Sequence, residues 1–489
     1  MKKKAIDILG FFVIFICLFY IASYIYVALN RLFYPYELEW TEGATFDISK
    51  RILKGLPLYS KPTIDFIPLM YPPGFYFVSA FLIKVWGENL YSLRIISFFS
   101  SIMSGILIFE ITRKLSKSIF WSFVSSSFFF SLFKASCFWY DLARVDSLMI
   151  MLVLLSFYLI MFNKIWSIFL ASLTLQLAFF SKQGALMFIL ASVFWLFIRN
   201  KRGFFAFLLI LPLSLIIIYL LNEKTDGWYF YWVFKLPSYQ PILKQKILMF
   251  LKQDLLTNMP ILCGLGMGWI FFFILTRETK RISFLLLLFL FSSFFISLSG
   301  RGIPGGSENA IIPLIAFLSI ISGITLTNLS EKQPNNIKAI LYGMLIIHFI
   351  ITFYNPLSQI PTKKDKACGE RFLSQISSIQ GDIFIPYHGF YLAKIGKKPY
   401  CYITSLSDIE LDKKNGKKLI DDFIETLKKK LENKEFSAIV LSNEGIPSFE
   451  SFIRGYYPSA YTLFSPLEER DFLTITGWRR RPSYIYLPK

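Results

Sequence analysis

Charged side chains collect near the ends of long apolar segments in this sequence. The first such group is Glu37, Glu39, Glu42 and Asp47, and later turns carry Arg144 with Asp146, then Lys182, then Arg301 with Glu308. A carboxylate can act as a general base on a hydroxyl group. Arg and Lys can stabilise the charge of a phosphate leaving group. Together these residue types favour transfer of a group from a lipid-linked phosphate, although any one of them would ordinarily be a solvated loop residue.

The elements that must position these residues are membrane helices. The 489-residue chain is 55% hydrophobic, with 54 Phe, and apolar blocks of around twenty residues recur along it. Blocks of that length predict helices that cross a bilayer, because each must satisfy its own backbone hydrogen bonds there. We predict about eleven spanning helices, the first at about Ile6–Leu29, the third at about Phe120–Trp139 and the last at about Ile337–Tyr354. The short apolar run Pro72–Val85 is predicted to lie along the outer interface.

The distribution of charge predicts the orientation. Residues 355–489 carry 21 basic and 16 acidic residues, so most of the net charge of +20 belongs to the membrane part. Its basic clusters fall in short loops on one side, which is typical of the cytoplasmic side and not of a nucleic-acid surface. We therefore expect a multi-pass protein of the cell inner (plasma) membrane. Its N-terminus would be cytoplasmic, and the acidic loops and the tail would be extracytoplasmic.

The tail is predicted to be a small α/β domain. Residues 382–386 and 438–441 have the composition of buried strands, and Lys417–Leu431 has helical spacing. The predicted division is therefore 1–354 for the membrane domain and 355–489 for the extracytoplasmic domain. Cys368 and Cys401 could form one disulfide in an oxidising compartment.

Three stretches of the first predicted external loop resemble the corresponding loop of GT-C glycosyltransferases. They are Glu39-Trp40-Thr41-Glu42-Gly43, Gly55-Leu56-Pro57-Leu58-Tyr59 and Tyr71-Pro72-Pro73-Gly74-Phe75-Tyr76. The closest resemblance is to bacterial members of the protein-mannosyltransferase and aminoarabinose-transferase group, glycosyltransferase family 39. Arg144-Val145-Asp146, Ser181-Lys182-Gln183 and Gly305-Gly306-Ser307-Glu308-Asn309 resemble later turns of related proteins.

The resemblance implies an inverting transfer of a hexosyl or pentosyl group from a polyprenyl phosphate on the extracytoplasmic face. Glu42 matches the second position of the family's acidic pair, while the first is Thr41, so the base is either Glu42 or Glu39, and Glu42 is favoured. Asp146 matches the second acidic position. The donor phosphate would be bound by Arg144, Lys182 or Arg301, and Tyr71, Glu308 and Asn309 are further predicted substrate-binding residues.

The family's lysine before the interfacial helix is missing here, since the sequence reads Met70-Tyr71-Pro72. We expect no metal-binding residues from the positions of His348 and His388, although a divalent ion between Glu42 and Asp146 is left open. The expected partners are the lipid-linked sugar donor, a glycan, lipid or protein acceptor, and membrane lipids. Two alternatives are a transporter or flippase of lipid-linked glycans and a non-catalytic envelope scaffold.

Overall fold

The computed structural model describes residues 3–275, 281–331 and 333–488. The helices of the membrane part are α1 (Lys3–Leu32), α2 (Glu42–Leu53), α3 (Gly74–Trp86), α4 (Tyr91–Ser116), α5 (Ile119–Ser131), α6 (Asp146–Ile160), α7 (Ile165–Ser181), α8 (Leu186–Arg199), α9 (Lys201–Leu208), α10 (Leu211–Lys224), α11 (Trp228–Phe230), α12 (Leu236–Ser238), α13 (Lys244–Met249), α14 (Pro260–Leu275), α15 (Arg281–Gly302), α16 (Ile312–Ser330) and α17 (Asn335–Ile351). Short 3₁₀ turns at Gln183–Ala185 and Glu308–Ile311 precede α8 and α16.

Within the described residues, five helices are long and apolar enough to cross a membrane. Two bent pairs, Lys244–Thr257 with Pro260–Leu275 and Asn335–Ile351 with Pro356–Ser378, also pass the test together. Shorter apolar helices include α5, α6 and α7. These helices lie within the apolar segments expected from the sequence, although in the described part of the chain five of them, or up to seven spans with each bent pair counted once, meet this criterion where about eleven spans were predicted. The separate apolar helix α3 lies where the interfacial helix was predicted. The protein is a multi-pass membrane protein.

The helix α16 lies at the centre of the bundle. Its apolar window is completely buried, whereas that of α1 is 28% buried. A helix that is apolar on all sides is stable only where neighbouring helices or lipid surround it. Phe188 of α8 stacks against Phe317 of α16, and Phe157 of α6 and Phe289 of α15 pack edge-on against the same ring. Because α16 follows the turn that carries Asn309, its packing fixes that turn relative to the other helices.

Two predicted boundaries are wrong. The third helix ends at Ser131 and not near Trp139, and the turns that follow it include Cys137 and Phe138 with left-handed backbone angles, at φ of 55° and 61°. The predicted external loop 222–254 is largely helical and includes a π-helix at Phe250–Thr257. This segment meets α14 at an angle of 94° next to Pro260, whose missing N–H prevents a continuous helix.

The C-terminal part is a small α/β domain, as predicted. It contains α18 (Lys363–Ser378), α19 (Phe390–Lys394), α20 (Leu406–Ile409), α21 (Gly416–Glu432), α22 (Pro447–Tyr456), β1 (Asp382–Phe384), β2 (Phe436–Ser442), β3 (Ser459–Thr462) and β4 (Pro482–Leu487). The sheet order is β1-β2-β4-β3, with β1 parallel to β2 and the other pairs antiparallel. In the register, Ile383 lies opposite Ala438, and Val440 lies opposite Ile485.

The first loop of the membrane part and the C-terminal domain share a hydrophobic core. Tyr36 packs edge-on against Phe472, with ring centroids 5.1 Å apart, and Phe46 of α2 packs against Phe390 of α19 at 5.2 Å. The domain is therefore docked on the same side of the helices as the acidic loop. The suggested Cys368–Cys401 disulfide is wrong, because both are free thiols that lie in separate apolar clusters.

Candidate active site

The three glutamates of the first loop are all buried, with exposed fractions of 3% for Glu37, 1% for Glu39 and 0% for Glu42. A buried carboxyl group needs hydrogen-bond donors or a cation, since burial otherwise removes its stabilisation by water. Each glutamate has a different set of partners. A glutamate whose two oxygens are both bound by protein donors has a structural role, whereas one with an unbound oxygen can act on a substrate.

Glu42 is fully occupied by protein donors. Its carboxylate accepts hydrogen bonds from Arg94 Nε at 3.0 Å and Nη2 at 2.7 Å, and from the backbone N–H groups of Leu38 at 2.7 Å and Ala143 at 2.8 Å. Burial alone would raise the pKa of Glu42, but Arg94 and these amides hold it below the ordinary value. Both oxygens join the first loop to α4 and to the turn before α6. This geometry does not support the preference for Glu42 as the base.

Glu39 leaves one oxygen free. Its Oε2 accepts from the Thr41 hydroxyl at 2.6 Å, the Thr41 backbone at 3.2 Å and Arg144 Nη1 at 3.4 Å. No hydrogen bond from a described residue reaches Oε1. Burial raises the pKa of the Glu39 carboxyl against the opposing effect of Arg144. A carboxylate with a raised pKa and an unoccupied oxygen can accept a proton.

Arg144 connects Glu39 with aromatic residues of two other segments. Its Nη2 donates to the Tyr71 hydroxyl at 3.2 Å, and its guanidinium lies 5.0 Å from the Trp139 ring centroid. The charge of Arg144 also interacts with Asp146. Tyr71, which the sequence predicted as a substrate-binding residue, is thus brought next to the predicted phosphate-binding cation.

Asp146 and Lys182 form the second half of the cluster. Lys182 Nζ donates to Asp146 Oδ1 at 2.6 Å, and Asn309 Nδ2 donates to the same oxygen at 3.1 Å. The Lys182 side chain is 19% exposed, while that of Asp146 is 1% exposed. The Ser181 hydroxyl joins the two turns by donating to the Val145 carbonyl at 3.1 Å. Turns distant in sequence therefore meet here, as the sequence predicted.

The helix α3 begins beside the Lys182 turn. Gly74 permits this approach, because a Cβ at that position would lie 2.7 Å from the Phe180 carbonyl oxygen. Gln183 Nε2 donates to the Met70 carbonyl at 2.9 Å. The Pro-Pro-Gly segment therefore positions Tyr71 and the start of α3 against the cluster.

Arg301 does not join this cluster as a free cation. Its Nε donates to Asp254 at 2.7 Å and its Nη2 pairs with Glu308 at 2.7 Å, while Nη1 donates to the Gly306 carbonyl at 3.0 Å. Its side chain is 2% exposed. These contacts stabilise the turn that presents Asn309 to Asp146. Arg301 and Glu308 are therefore placed as supports of that turn.

Several buried polar atoms near the cluster have no partner among the described residues. They are Asp146 Oδ2, Gln183 Oε1, Trp139 Nε1 and the Tyr76 hydroxyl. A buried polar atom without a hydrogen bond costs about 1–3 kcal/mol. Donors and acceptors grouped in this way are suited to a polar ligand, such as a sugar.

Sequence reasoning missed the residues that pair with Glu37 and Glu42. Glu37 Oε2 lies 2.6 Å from Nδ1 of His388 in the C-terminal domain, and both side chains are buried. Burial raises the pKa of Glu37 well above its ordinary value and lowers the pKa of His388 to about 3. Arg94 could have been found as a charged residue within an apolar helix, since such residues are usually paired. No local signal in the sequence identified His388.

The residues do not fit a divalent ion. No group of three or more His, Cys, Asp or Glu side chains in the described ranges is arranged to hold a metal. The suggested pair of Glu42 and Asp146 fails because both Glu42 oxygens already accept hydrogen bonds from Arg94 and backbone amides.

A separate cavity of about 590 Å³ lies between α2 and the Ala393–Tyr402 segment. It is lined by basic residues, but Lys50 pairs with Glu88 at 2.5 Å and Lys398 pairs with Asp65 at 2.7 Å. The cavity also contains Asp47, whose Oδ2 has no hydrogen-bond partner among the described residues and whose charge interacts with Lys50 and Lys54, but Arg144, Asp146 and Lys182 do not line it.

No protein-family model and no curated protein sequence matches this chain. Among solved structures, ArnT from Cupriavidus metallidurans bound to undecaprenyl phosphate is similar, with a TM-score of 0.59 and 12% identity, over 96% of this chain and 97% of that chain. The apo state of ArnT gives a TM-score of 0.57 at 11% identity. Both ArnT and AglB, an archaeal oligosaccharyltransferase, belong to the GT-C superfamily. The chain has the GT-C fold.

AglB from Archaeoglobus fulgidus, in complex with an inhibitory peptide and a dolichol-phosphate, shares this fold with a TM-score of 0.50 and 10% identity. The match covers 96% of this chain and 74% of that chain. The resemblance to GT-C proteins seen in the sequence is therefore confirmed for the fold, and the likeness spans the helices and the C-terminal domain together. At these identities the GT-C fold does not by itself assign roles to residues.

Proposed function

We propose that this protein is a glycosyltransferase that transfers a sugar from a polyprenyl-phosphate donor to an acceptor hydroxyl on the extracytoplasmic face of the inner membrane. The supporting observation is the cluster in which Glu39, with its free Oε1, lies beside Arg144, which in turn interacts with the Asp146–Lys182 pair. The GT-C fold adds support, since one similar structure contains undecaprenyl phosphate. The domain boundary would fall between residues 354 and 355.

In this proposal Glu39 is the base. The acceptor hydroxyl gives its proton to Glu39 Oε1 as its oxygen attacks the anomeric carbon of the sugar. The bond from that carbon to the phosphate oxygen breaks, and the polyprenyl phosphate leaves with the bonding electron pair. A single displacement inverts the anomeric configuration. Glu39 then releases the proton to solvent.

Lys182 and Arg144 would bind the donor phosphate, since the Lys182 turn lies against Gly74 and Arg144 donates to Tyr71, which places both cations beside the start of α3. Asp146 would hold Lys182 and, through Asn309, the turn before α16 in place. Tyr71 would orient Arg144 through its hydroxyl. Glu42 would be a positioning residue that fixes the loop carrying Glu39.

The test is transfer of label from polyprenyl-phosphate sugars in membranes that contain the protein, with nucleotide sugars as the comparison donors. We expect transfer from the lipid donors only, and a loss of at least 100-fold in Glu39→Gln, in line with the contribution of a general base. Asp65→Asn is the matched control, because Asp65 is an exposed carboxylate of the same loop. Normal transfer by Glu39→Gln would exclude Glu39 as the base. No transfer by the wild type would leave the transporter and scaffold alternatives.

A further inference from the structure

One loop of the C-terminal domain, residues 474–481, covers the candidate active site. The Thr476 N–H donates to the Leu38 carbonyl at 3.2 Å, and its hydroxyl donates to the Cys137 carbonyl. Gly477 has a φ of 69°, and a Cβ there would lie 3.1 Å from Glu39 Cγ. This loop, which we call the roof loop, therefore contacts the residue proposed as the base.

The roof loop carries a buried arginine, Arg480, that is 2% exposed. Its guanidinium lies between aromatic rings, 3.9 Å from the ring centroid of Trp478, 4.5 Å from that of Trp40 and 4.9 Å from that of Tyr387. Rings at these distances hold a cation by cation–π attraction and fix its orientation. Trp40 directly follows Glu39, so the guanidinium is fixed close to the proposed base.

Arg480 has no carboxylate partner among the described residues. Four other buried arginines near the site are paired: Arg31 with Asp141, Arg94 with Glu42, Arg144 with Glu39, and Arg301 with Asp254 and Glu308. Arg481 of the roof loop has no ion pair among the described residues, but its guanidinium donates to the backbone carbonyls of Glu468 and Asp471. Arg480 Nε is buried and donates to no partner among the described residues. The charge of Arg480 interacts with Glu444, Glu450 and Glu39, but none of these carboxylates forms an ion pair with it, and Glu450 pairs instead with Arg454 at 3.3 Å. A buried cation without a counter-ion is costly. A bound anion would remove that cost.

We propose that Arg480 is an oxyanion-binding residue, through which the C-terminal domain completes the active site. The ligand is a phosphate or carboxylate group of a substrate, since a guanidinium matches these planar or tetrahedral oxyanions with parallel N–H donors. The anion has two sources, the donor's polyprenyl phosphate or an anionic group on the acceptor. This inference rests on the proposed function for the identity of the substrates, but not for the binding of the anion.

Tryptophan fluorescence reports on this site directly, because Trp40 and Trp478 flank the guanidinium. The full-length protein in nanodiscs is titrated with inorganic phosphate and, separately, with undecaprenyl phosphate, with undecaprenol as the neutral comparison. We expect saturable anion binding by the wild type that is at least ten-fold weaker in Arg480→Gln and partly recovered in Arg480→Lys. Arg479→Gln is the matched control, because Arg479 is the adjacent arginine and is exposed.

The two sources are separated by competition. If undecaprenyl phosphate blocks the phosphate signal, the anion is the donor's phosphate; if both bind together, it belongs to the second substrate. The proposal is overturned if correctly folded Arg480→Gln binds both probes as the wild type does, with folding judged by an unchanged thermal midpoint. Arg480-dependent binding without sugar transfer by the wild type would instead refute the proposed function alone.

Discussion

Replacing Glu42 with Gln separates a structural role from a catalytic one. The Glu42 carboxylate receives four hydrogen bonds, two of them from Arg94 and two from backbone amides. A Gln side chain has one acceptor oxygen and one NH₂ donor group in place of the two carboxylate oxygens. Two of the four N–H groups that now bind Glu42 would therefore point at the NH₂ group and lose their acceptor. Arg94, which is 1% exposed, would also become a buried cation without its counter-ion.

Breaking a buried ion pair by removing one partner costs about 3–5 kcal/mol. That is a large share of the roughly 5–15 kcal/mol that stabilises a folded protein. We expect Glu42→Gln to give less correctly folded protein and a clearly lower thermal midpoint in detergent. Glu39→Gln is the matched comparison, because its Oε1 accepts no hydrogen bond from the described residues and an NH₂ group fits there. Arg144 would lose a weaker ion pair, at 3.4 Å, and would keep its interaction with Asp146. Glu39→Gln should therefore be less destabilised than Glu42→Gln and lose transfer.

A double-mutant cycle with Arg94→Met measures the pair itself. Groups in direct contact show coupling of up to about 3 kcal/mol, and the double variant should be less damaged than the two single losses together predict. The reasoning would be refuted by a Glu42→Gln protein with the wild-type thermal midpoint and no transfer activity. Glu42 would then be the base, as the sequence alone suggested.

Three further predictions concern the same loop. The base must be deprotonated to act, so the rate of transfer should rise with pH through a Glu39 pKa above the usual 4.5. The Thr41 hydroxyl stabilises the Glu39 anion, so Thr41→Val should move this rise in rate to a higher pH, by about one unit, in initial-rate measurements. His388→Phe leaves Glu37 without its partner and should lower the free energy of unfolding by about 1–3 kcal/mol. Because folding lowers the pKa of His388 to about 3, the buried imidazole destabilises the wild type as pH falls below about 6.5, and His388→Phe removes that effect. The deficit in thermal midpoint should therefore be greater at pH 8 than at pH 5. Gly43→Ala places a Cβ 2.2 Å from Glu37 Oε1, and a faster release of the C-terminal domain in limited proteolysis would check the expected clash.

The membrane helices were predictable because their signal is local. An apolar segment of about twenty residues must satisfy its backbone within itself in lipid, so composition alone locates it. Local signals failed where tertiary contacts override them. The third helix ends early, at Ser131, and the turns that follow contain the left-handed pair Cys137 and Phe138. The Cys137 carbonyl accepts a hydrogen bond from Thr476, which is 339 residues away in sequence.

The sequence by itself determined the fold class, the position of the short apolar helix α3 along the chain and the set of charged residues from which a site is built. Only the tertiary structure decided which of them are free. Glu39 and Glu42 lie three residues apart and have the same chemistry, but Arg94, 52 residues from Glu42, occupies one carboxylate and leaves the other open. Such pairings join residues that are far apart in sequence and depend on how the helices pack, and therefore no spacing within the loop could distinguish the two glutamates.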